Sequence, residues 1–249
     1  MSGHSKWSSI KHKKAATDAK RGKLFSKLIR EITVAAKLGG GDTGSNTRLR
    51  SAVQTARGSN LPTDTITRAI KKGSGGNDGV DFEEVTYEGF GPANVAVVIR
   101  ALTDNRNRTI ASLRTAFNKF NGNLASPNSV LHMFDRKGTI RLARSETDED
   151  TLTEAILEAG AEDLDATEED YLVIAPLEAF EAVKEEIEKR GWNITESELA
   201  DLPQTKMVVG DKEKAEKVMN FLELLEEDDD VQKVFSNFDI DDALLAELS

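Results

Sequence analysis

The hydrophobic period of the chain changes across a glycine-rich stretch at residues 74–79, and the two sides of that change cannot fold alike. Before it, Leu24, Phe25, Leu28, Ile29, Ile32 and Ala36 recur at three- and four-residue spacing, which predicts a helix from Ala15 to Leu38 ended by Gly39-Gly40-Gly41. Leu49, Ala52, Val53 and Ala56 predict a second helix from about Thr47 to Arg57, broken by Gly58 and Pro62. Thr63 is placed to cap a third helix carrying Ile66, Ala69 and Ile70, closed by Gly73. Three amphipathic helices this short can hide their apolar stripes only against one another, so a small bundle is expected.

After residue 79 the period falls to two or to short apolar runs. Glu84–Glu88 and Val95–Leu102 read as strands joined through Gly89, Gly91 and Pro92. Thr103 or Asp104 is placed to cap a helix over 105–120 that carries Ile110, Leu113, Phe117 and Phe120. Val130–Phe134 and Thr139–Leu142 read as two strands about a turn at Arg136-Lys137-Gly138. Then come helix 150–159, strand 171–175, helix 177–190, strand 193–199, a short strand at Val208-Val209, helix 211–226 and strand Val231–Phe235. The run Glu226 to Asp230 is expected as a solvated loop. The whole predicts an α+β chain with two small βαβ-type layers behind a three-helix bundle.

Charge is sorted along the same line. Residues 1–79 sum to +11, residues 80–145 to +3 and residues 146–249 to −25. A sequence pI near 4.9 hides a strongly basic N-terminal third. Such sorting points to an arm that meets a polyanion and an acidic remainder with another task.

The chemistry of the remaining residues argues mostly by exclusion. There is no apolar run near membrane-spanning length. The opening Met1-Ser2-Gly3-His4 has no apolar signal region, and a cytoplasmic location is expected. Absence of cysteine removes disulfides, thiolate nucleophiles and cysteine-ligated metals. No phosphate loop of the GxxxxGK[ST] type and no GxSxG is present, and Gly89-Phe90-Gly91 reads as a turn. The three histidines, His4, His12 and His132, have no metal-ligand spacing. The basic third holds only Asp18, Glu31, Asp42, Asp64 and Asp78, too scattered for a nuclease centre. No enzymatic activity, cofactor, metal or small-molecule substrate is expected.

Two basic constellations remain as candidate nucleic-acid contacts. The first is His4, Ser5, Lys6, Trp7, Lys11, His12, Lys13, Lys14, Lys20, Arg21, Lys23 and Lys27. Its cations neutralise phosphates, and Trp7 either stacks on a base or anchors the arm to the bundle. The second is Arg106 and Arg108 within Thr103-Asp104-Asn105-Arg106-Asn107-Arg108-Thr109. Two cations in a first helical turn oppose the helix dipole, which makes sense if they hold an external phosphate with the helix end. The alternative is that Arg108 pairs with a nearby carboxylate such as Asp104.

GHSKWSSIKHKKAATDAKRGKLFSKLIREITVAAK, NLPTDTITRAIKKG, YEGFGP, TDNRNRT and MFDRKGTI, in this order, resemble the YebC family, which includes the mitochondrial translational activator of cytochrome c oxidase subunit I. The resemblance implies a basic helical domain at 1–79, a middle α/β domain formed by 80–137 and 207–249, and an acidic α/β domain, 138–206, inserted in it. It implies a non-enzymatic regulator of gene expression contacting nucleic acid through the GHSKWSSIKHKK arm. Family members include ribosome-associated translation factors that relieve stalling and proteins described as DNA-binding transcriptional regulators. No recognisable helix-turn-helix is visible in the sequence, and a −25 body would be repelled by a long duplex, so ribosomal RNA is the favoured partner and duplex DNA the alternative. One departure stands out: Pro127 and Asn128 occupy positions where glycines are expected, which bears on that loop's flexibility.

Overall fold

The structure is a computed structural model that describes residues 18–75, 82–167, 169–241, 244 and 247, with residues 18–20 described by their backbone. Its first unit is three helices: α1 (Asp18–Gly39), α2 (Thr47–Gly58) and α3 (Thr63–Ser74). The predicted stripes meet in one core, where Leu28, Ile32 and Ala36 face Leu49, Val53, Ala56, Leu61, Ile66 and Ala69. Asn46 organises the corner. Its side chain accepts from the Leu49 N–H, capping α2, and donates to the carbonyls of Ala35 and Gly40 at the end of α1. Gly73 does not close α3, as the sequence suggested, but lies inside it. A Cβ there would stand 2.2 Å from the Thr33 carbonyl, so glycine is what lets α3 lie against α1.

In chain order there follow β1 (Glu83–Phe90), β2 (Ala96–Thr103), α4 (Arg106–Lys119), β3 (Asn123–Leu124), β4 (Phe134–Ala143), α5 (Glu149–Glu158), β5 (Asp163–Ala166), β6 (Asp170–Ala175), α6 (Phe180–Lys189), β7 (Ile194–Pro203), β8 (Met207–Val208), α7 (Lys212–Glu226), β9 (Val231–Ser236) and β10 (Phe238–Asp239). They form two four-stranded antiparallel sheets, β3-β1-β2-β9 and β5-β6-β4-β7, and a small parallel pair, β8-β10. The chain is α+β, with the second sheet inserted between strands of the first.

α4 and α7 cover one face of the first sheet, where Val97, Ile99, Leu113, Phe117, Phe221 and Leu222 are buried. α5 and α6 cover the second sheet over Ile140, Leu142, Ile156, Val173, Val183 and Ile187. A third cluster joins the two sheets: Ala96, Val98 and Phe235 of the first meet Val130, Phe134 and Ala200. Beside it, the Arg100 guanidinium on β2 grips the Asp201 carboxylate on β7 through two hydrogen bonds of 2.7 Å. Lys233 on β9 reaches Glu198 on β7. Burial disfavours its charge, but Glu198 and Glu196 outweigh that and hold its pKa above the ordinary lysine value.

Two expectations are corrected here. Residues 134–143 form one strand, not two strands about a turn. Gly138 is mid-strand because the Phe180 ring lies on it, and a Cβ would come within 2.1 Å of that ring. The acidic run at the end of α7 is a solvated turn only over 227–229. Glu226 closes the helix, and Asp230 is buried with 3% of its surface exposed.

Candidate nucleic-acid interface

Of the first constellation, His4, Ser5, Lys6, Trp7, Lys11, His12, Lys13 and Lys14 lie outside the described residues, and Lys20 is placed by its backbone alone in the first turn of α1. The structure places Arg21 and Lys23 exposed on α1, with the Arg21 guanidinium 5.4 Å above the Phe25 ring. Lys23 and Lys27 turn toward the body of the protein. Lys23 Nζ donates to the Glu227 carbonyl at 3.1 Å, and Lys27 Nζ to the Glu226 carbonyl at 2.5 Å. Those carbonyls terminate α7, the end at which a helix dipole attracts cations.

One turn further along α1, Arg30 was not singled out by the sequence. Its Nη1 donates to the carbonyls of Leu102 and Asp229 at 2.9 and 2.6 Å and to Asp230 Oδ1 at 3.0 Å. Asp230 is the centre of this region. Arg108 donates to it from Nη2 at 2.8 Å and from Nε at 3.2 Å, and the Thr109 hydroxyl donates to Oδ2 at 2.8 Å. Burial pushes the Asp230 carboxyl up, but the hydrogen bonds from Arg108 and Thr109 and the charges of Arg108 and Arg30 outweigh it, so its pKa lies below the ordinary aspartate value.

The second constellation therefore divides. Asn105, and not Thr103 or Asp104, caps α4, its side chain accepting from the Arg108 N–H at 3.1 Å, while the Thr103 hydroxyl accepts from the Asn105 N–H. The Arg108 guanidinium is held by Asp230 and by Asp104 at 2.8 Å, and its pKa is raised by those partners. The dipole conflict read from the sequence is answered by a carboxylate 122 residues away. Arg106 is more open, paired at 2.6 Å with Glu83, both side chains more than half exposed.

Other cations have no such partners. Arg50 and Arg57 are exposed on α2, on the flank of the stripe formed by Leu49, Val53 and Ala56, and Arg68, Lys71 and Lys72 are exposed on α3. None of the five has a carboxylate partner among the described residues. Of the unit's acids, Glu31 takes Arg48 at 2.7 Å, Asp42 accepts from Gly44 and Ser45 in its own turn, and Asp64 offers Arg68 its backbone carbonyl, not its carboxylate, at 3.3 Å. The sequence signal that could have found the five was their position between the apolar residues of each helical stripe.

The loop carrying Pro127 and Asn128 is fixed. Buried Glu88 on β1 accepts the N–H groups of Asn128, Val130 and Leu131, each at 2.7 Å. Burial raises its pKa and these three donors lower it, with a net shift below the ordinary value. Asn128 takes φ of 65°, a backbone region asparagine tolerates better than most residues. Among the described residues, no group of three or more His, Asp or Glu side chains is placed to hold a metal, and no helix is long and apolar enough to cross a membrane.

Comparison with known proteins bears on the whole length. Residues 5–76 match the family profile of the TACO1/YebC protein N-terminal domain, and residues 82–238 that of the TACO1/YebC second and third domain. A relative from Desulforapulum autotrophicum is 52% identical over 242 residues, covering 97% of this chain and 98% of that one. One from Geobacter sulfurreducens is 52% identical over 240 residues, 96% of each. Both carry the name probable transcriptional regulatory protein. The crystal structure of a conserved hypothetical protein from Aquifex aeolicus superimposes with a TM-score of 0.85 at 47% identity, covering 94% of this chain and 96% of that one.

Proposed function

The chain belongs to the TACO1/YebC family, and on that footing we propose that it is a non-enzymatic regulator of gene expression that binds nucleic acid through its basic helical unit, as a ribosome-associated translation factor that relieves stalling. The observation that carries the reading is the set of exposed cations on α2 and α3, Arg50, Arg57, Arg68, Lys71 and Lys72, with no carboxylate partner among the described residues. Uncompensated like charge on one small bundle costs stability, and a phosphate backbone relieves it. The proposal adds the arm with Lys6, Trp7, Lys11, Lys13 and Lys14, and exposed Arg106, and it places the protein in the cytoplasm. It divides the chain into 1–79 for contact, 80–137 with 207–249 as the middle unit, and 138–206 as the acidic insert. β4 starts at Phe134, so the first residues of the insert's sheet fall before 138.

A second reading, binding of duplex DNA, has its own support. α2 and α3 are joined by four residues, Ser59 to Pro62, a connection of helix-turn-helix length. The relatives' name points the same way. Against it stands the −25 charge of residues 146–249, which opposes a long duplex lying along the molecule.

The test is affinity against salt for the full chain and for a chain lacking residues 1–14, on a structured RNA and on duplex DNA of equal length. Each phosphate contact removed should flatten the log–log slope by about 0.7–0.9. Equal affinities and slopes for the two chains would remove the arm from the interface. Cross-linking in cells, with sequencing of the attached nucleic acid, separates the two readings: ribosomal RNA supports the first, and chromosomal fragments the second.

A further inference from the structure

The helical unit meets the rest of the molecule through charge. On its side stand Lys23, Lys27, Arg30 and Arg48 of α1 and α2; on the other stand Glu84, Glu227, buried Asp230 and the carbonyls of Leu102, Glu226, Glu227 and Asp229. Arg30 also lies 4.9 Å from the centre of the Phe82 ring. No buried apolar cluster spans this junction among the described residues: the bundle core runs from Leu28 to Ala69 and shares no member with the core of the first sheet. Where apolar side chains approach it, Val34, Leu38 and Phe82 line an open cleft of about 300 Å³, with Val34 buried and Leu38 exposed.

The partners offered to α1 resemble a nucleic-acid backbone in what they present: carboxylate and carbonyl oxygens, one after another, at about hydrogen-bond distance from three successive cations on one helix face. We infer that residues 226–230 act as an internal competitor for nucleic acid, covering a phosphate-binding face of α1 formed by Lys23, Lys27 and Arg30. The inference rests on the nucleic-acid reading above and adds a regulation to it. Bound phosphates and the 226–230 segment are alternative occupants of these side chains. A polyanion first captured elsewhere on the basic unit draws the unit off the body, and the freed face then joins the contact. Among the described residues the apolar cost of parting falls on two side chains that line the cleft, Val34, which is buried, and Phe82, which is half-buried, so the exchange is mainly one of oxygen ligands for oxygen ligands. Such exchanges cost little and respond to salt.

The chain has no cysteine, which allows a direct test. In the full chain carrying Lys27→Cys and Glu226→Cys, a short bismaleimide locks the face against the body. Binding is read by anisotropy with a labelled uridine RNA oligomer and, separately, with a labelled DNA duplex. The locked form should bind about fivefold or more weakly than the same variant left open, with a salt slope shallower by about 1.4, since Lys23 and Arg30 are lost at about 0.7 each on a single strand. Loss on RNA alone names RNA as the occupant, and loss on the duplex alone names DNA. Asp230→Asn, which loosens the cover chemically, should bind severalfold tighter than wild type. If that variant does not fold, the cross-linked pair decides by itself. Equal binding of locked and open forms overturns this inference while the nucleic-acid reading stands. A wild-type chain that binds neither probe at low salt overturns both.

Discussion

The molecule has two internal junctions, and they are built on opposite principles. Between its two sheets the contact is an apolar cluster, Ala96, Val98, Val130, Phe134, Ala200 and Phe235, with the Arg100–Asp201 and Lys233–Glu198 pairs at its side. Between the helical unit and the body the contact is ionic, centred on Asp230. Buried apolar area is insensitive to salt and is lost only when the surfaces part; ion pairs weaken with salt and can be traded for other ions. The first junction should therefore behave as part of a core, and the second as a reversible dock.

The strongest way to break this contrast is at the apolar side. Phe235→Ala, at a site 1% exposed, should cost about 3–5 kcal/mol, seen as a lower denaturant midpoint for the body. High salt should leave that loss unchanged. Asp230→Ala removes the acceptor shared by Arg30, Arg108 and Thr109 and should cost about 3 kcal/mol. The loss should shrink only modestly at high salt, because the carboxylate is buried and weakly screened, and a loss no larger than that of an exposed pair would show that Asp230 is not the centre of the dock. Glu88→Gln should cost about 1–2 kcal/mol, because a neutral amide replaces a carboxylate that accepts three backbone donors. Asp230 and Glu88 both have pKa values depressed in the fold, so their stabilisation is complete above the ordinary carboxylate range and is lost as pH falls below about 4 through their folded values. Acid titration of the two variants should be flatter than wild type in that window. Smallest of all, Arg106→Ala should move stability by less than about 0.5 kcal/mol, since its pair with Glu83 is exposed on both sides. A measurable loss of nucleic-acid affinity in a variant that melts normally would place Arg106 in the interface.

The helices of the bundle were legible because each carries its own apolar stripe, from Leu28 to Ile32 and Ala36, and from Leu49 to Val53 and Ala56. The α+β character of the rest was legible from short apolar runs. What could not be read was contact at a distance. Nothing local distinguishes Asp230 from Asp228 and Asp229, and only the return of β9 beside β2 brings it to Arg108 and Arg30. Gly138 read as a turn because glycine usually marks one; the ring that demands it, Phe180, comes from a helix folded back over the strand. Of the candidate site, Lys23, Lys27, Arg106 and Arg108 were picked out by charge, but which of them face outward depended on partners more than a hundred residues away in three cases.

The closing of the first sheet by β9 also sets an order of events during synthesis. The β5-β6-β4-β7 sheet is complete once Pro203 has emerged, but β2 waits for its neighbour until Val231 to Ser236 have been made. Pairings so far apart along the chain form late. Asp230 arrives with the same strand, so on a nascent chain α1 keeps its basic face uncovered by the 226–230 segment until those residues, some two hundred positions later, have been made.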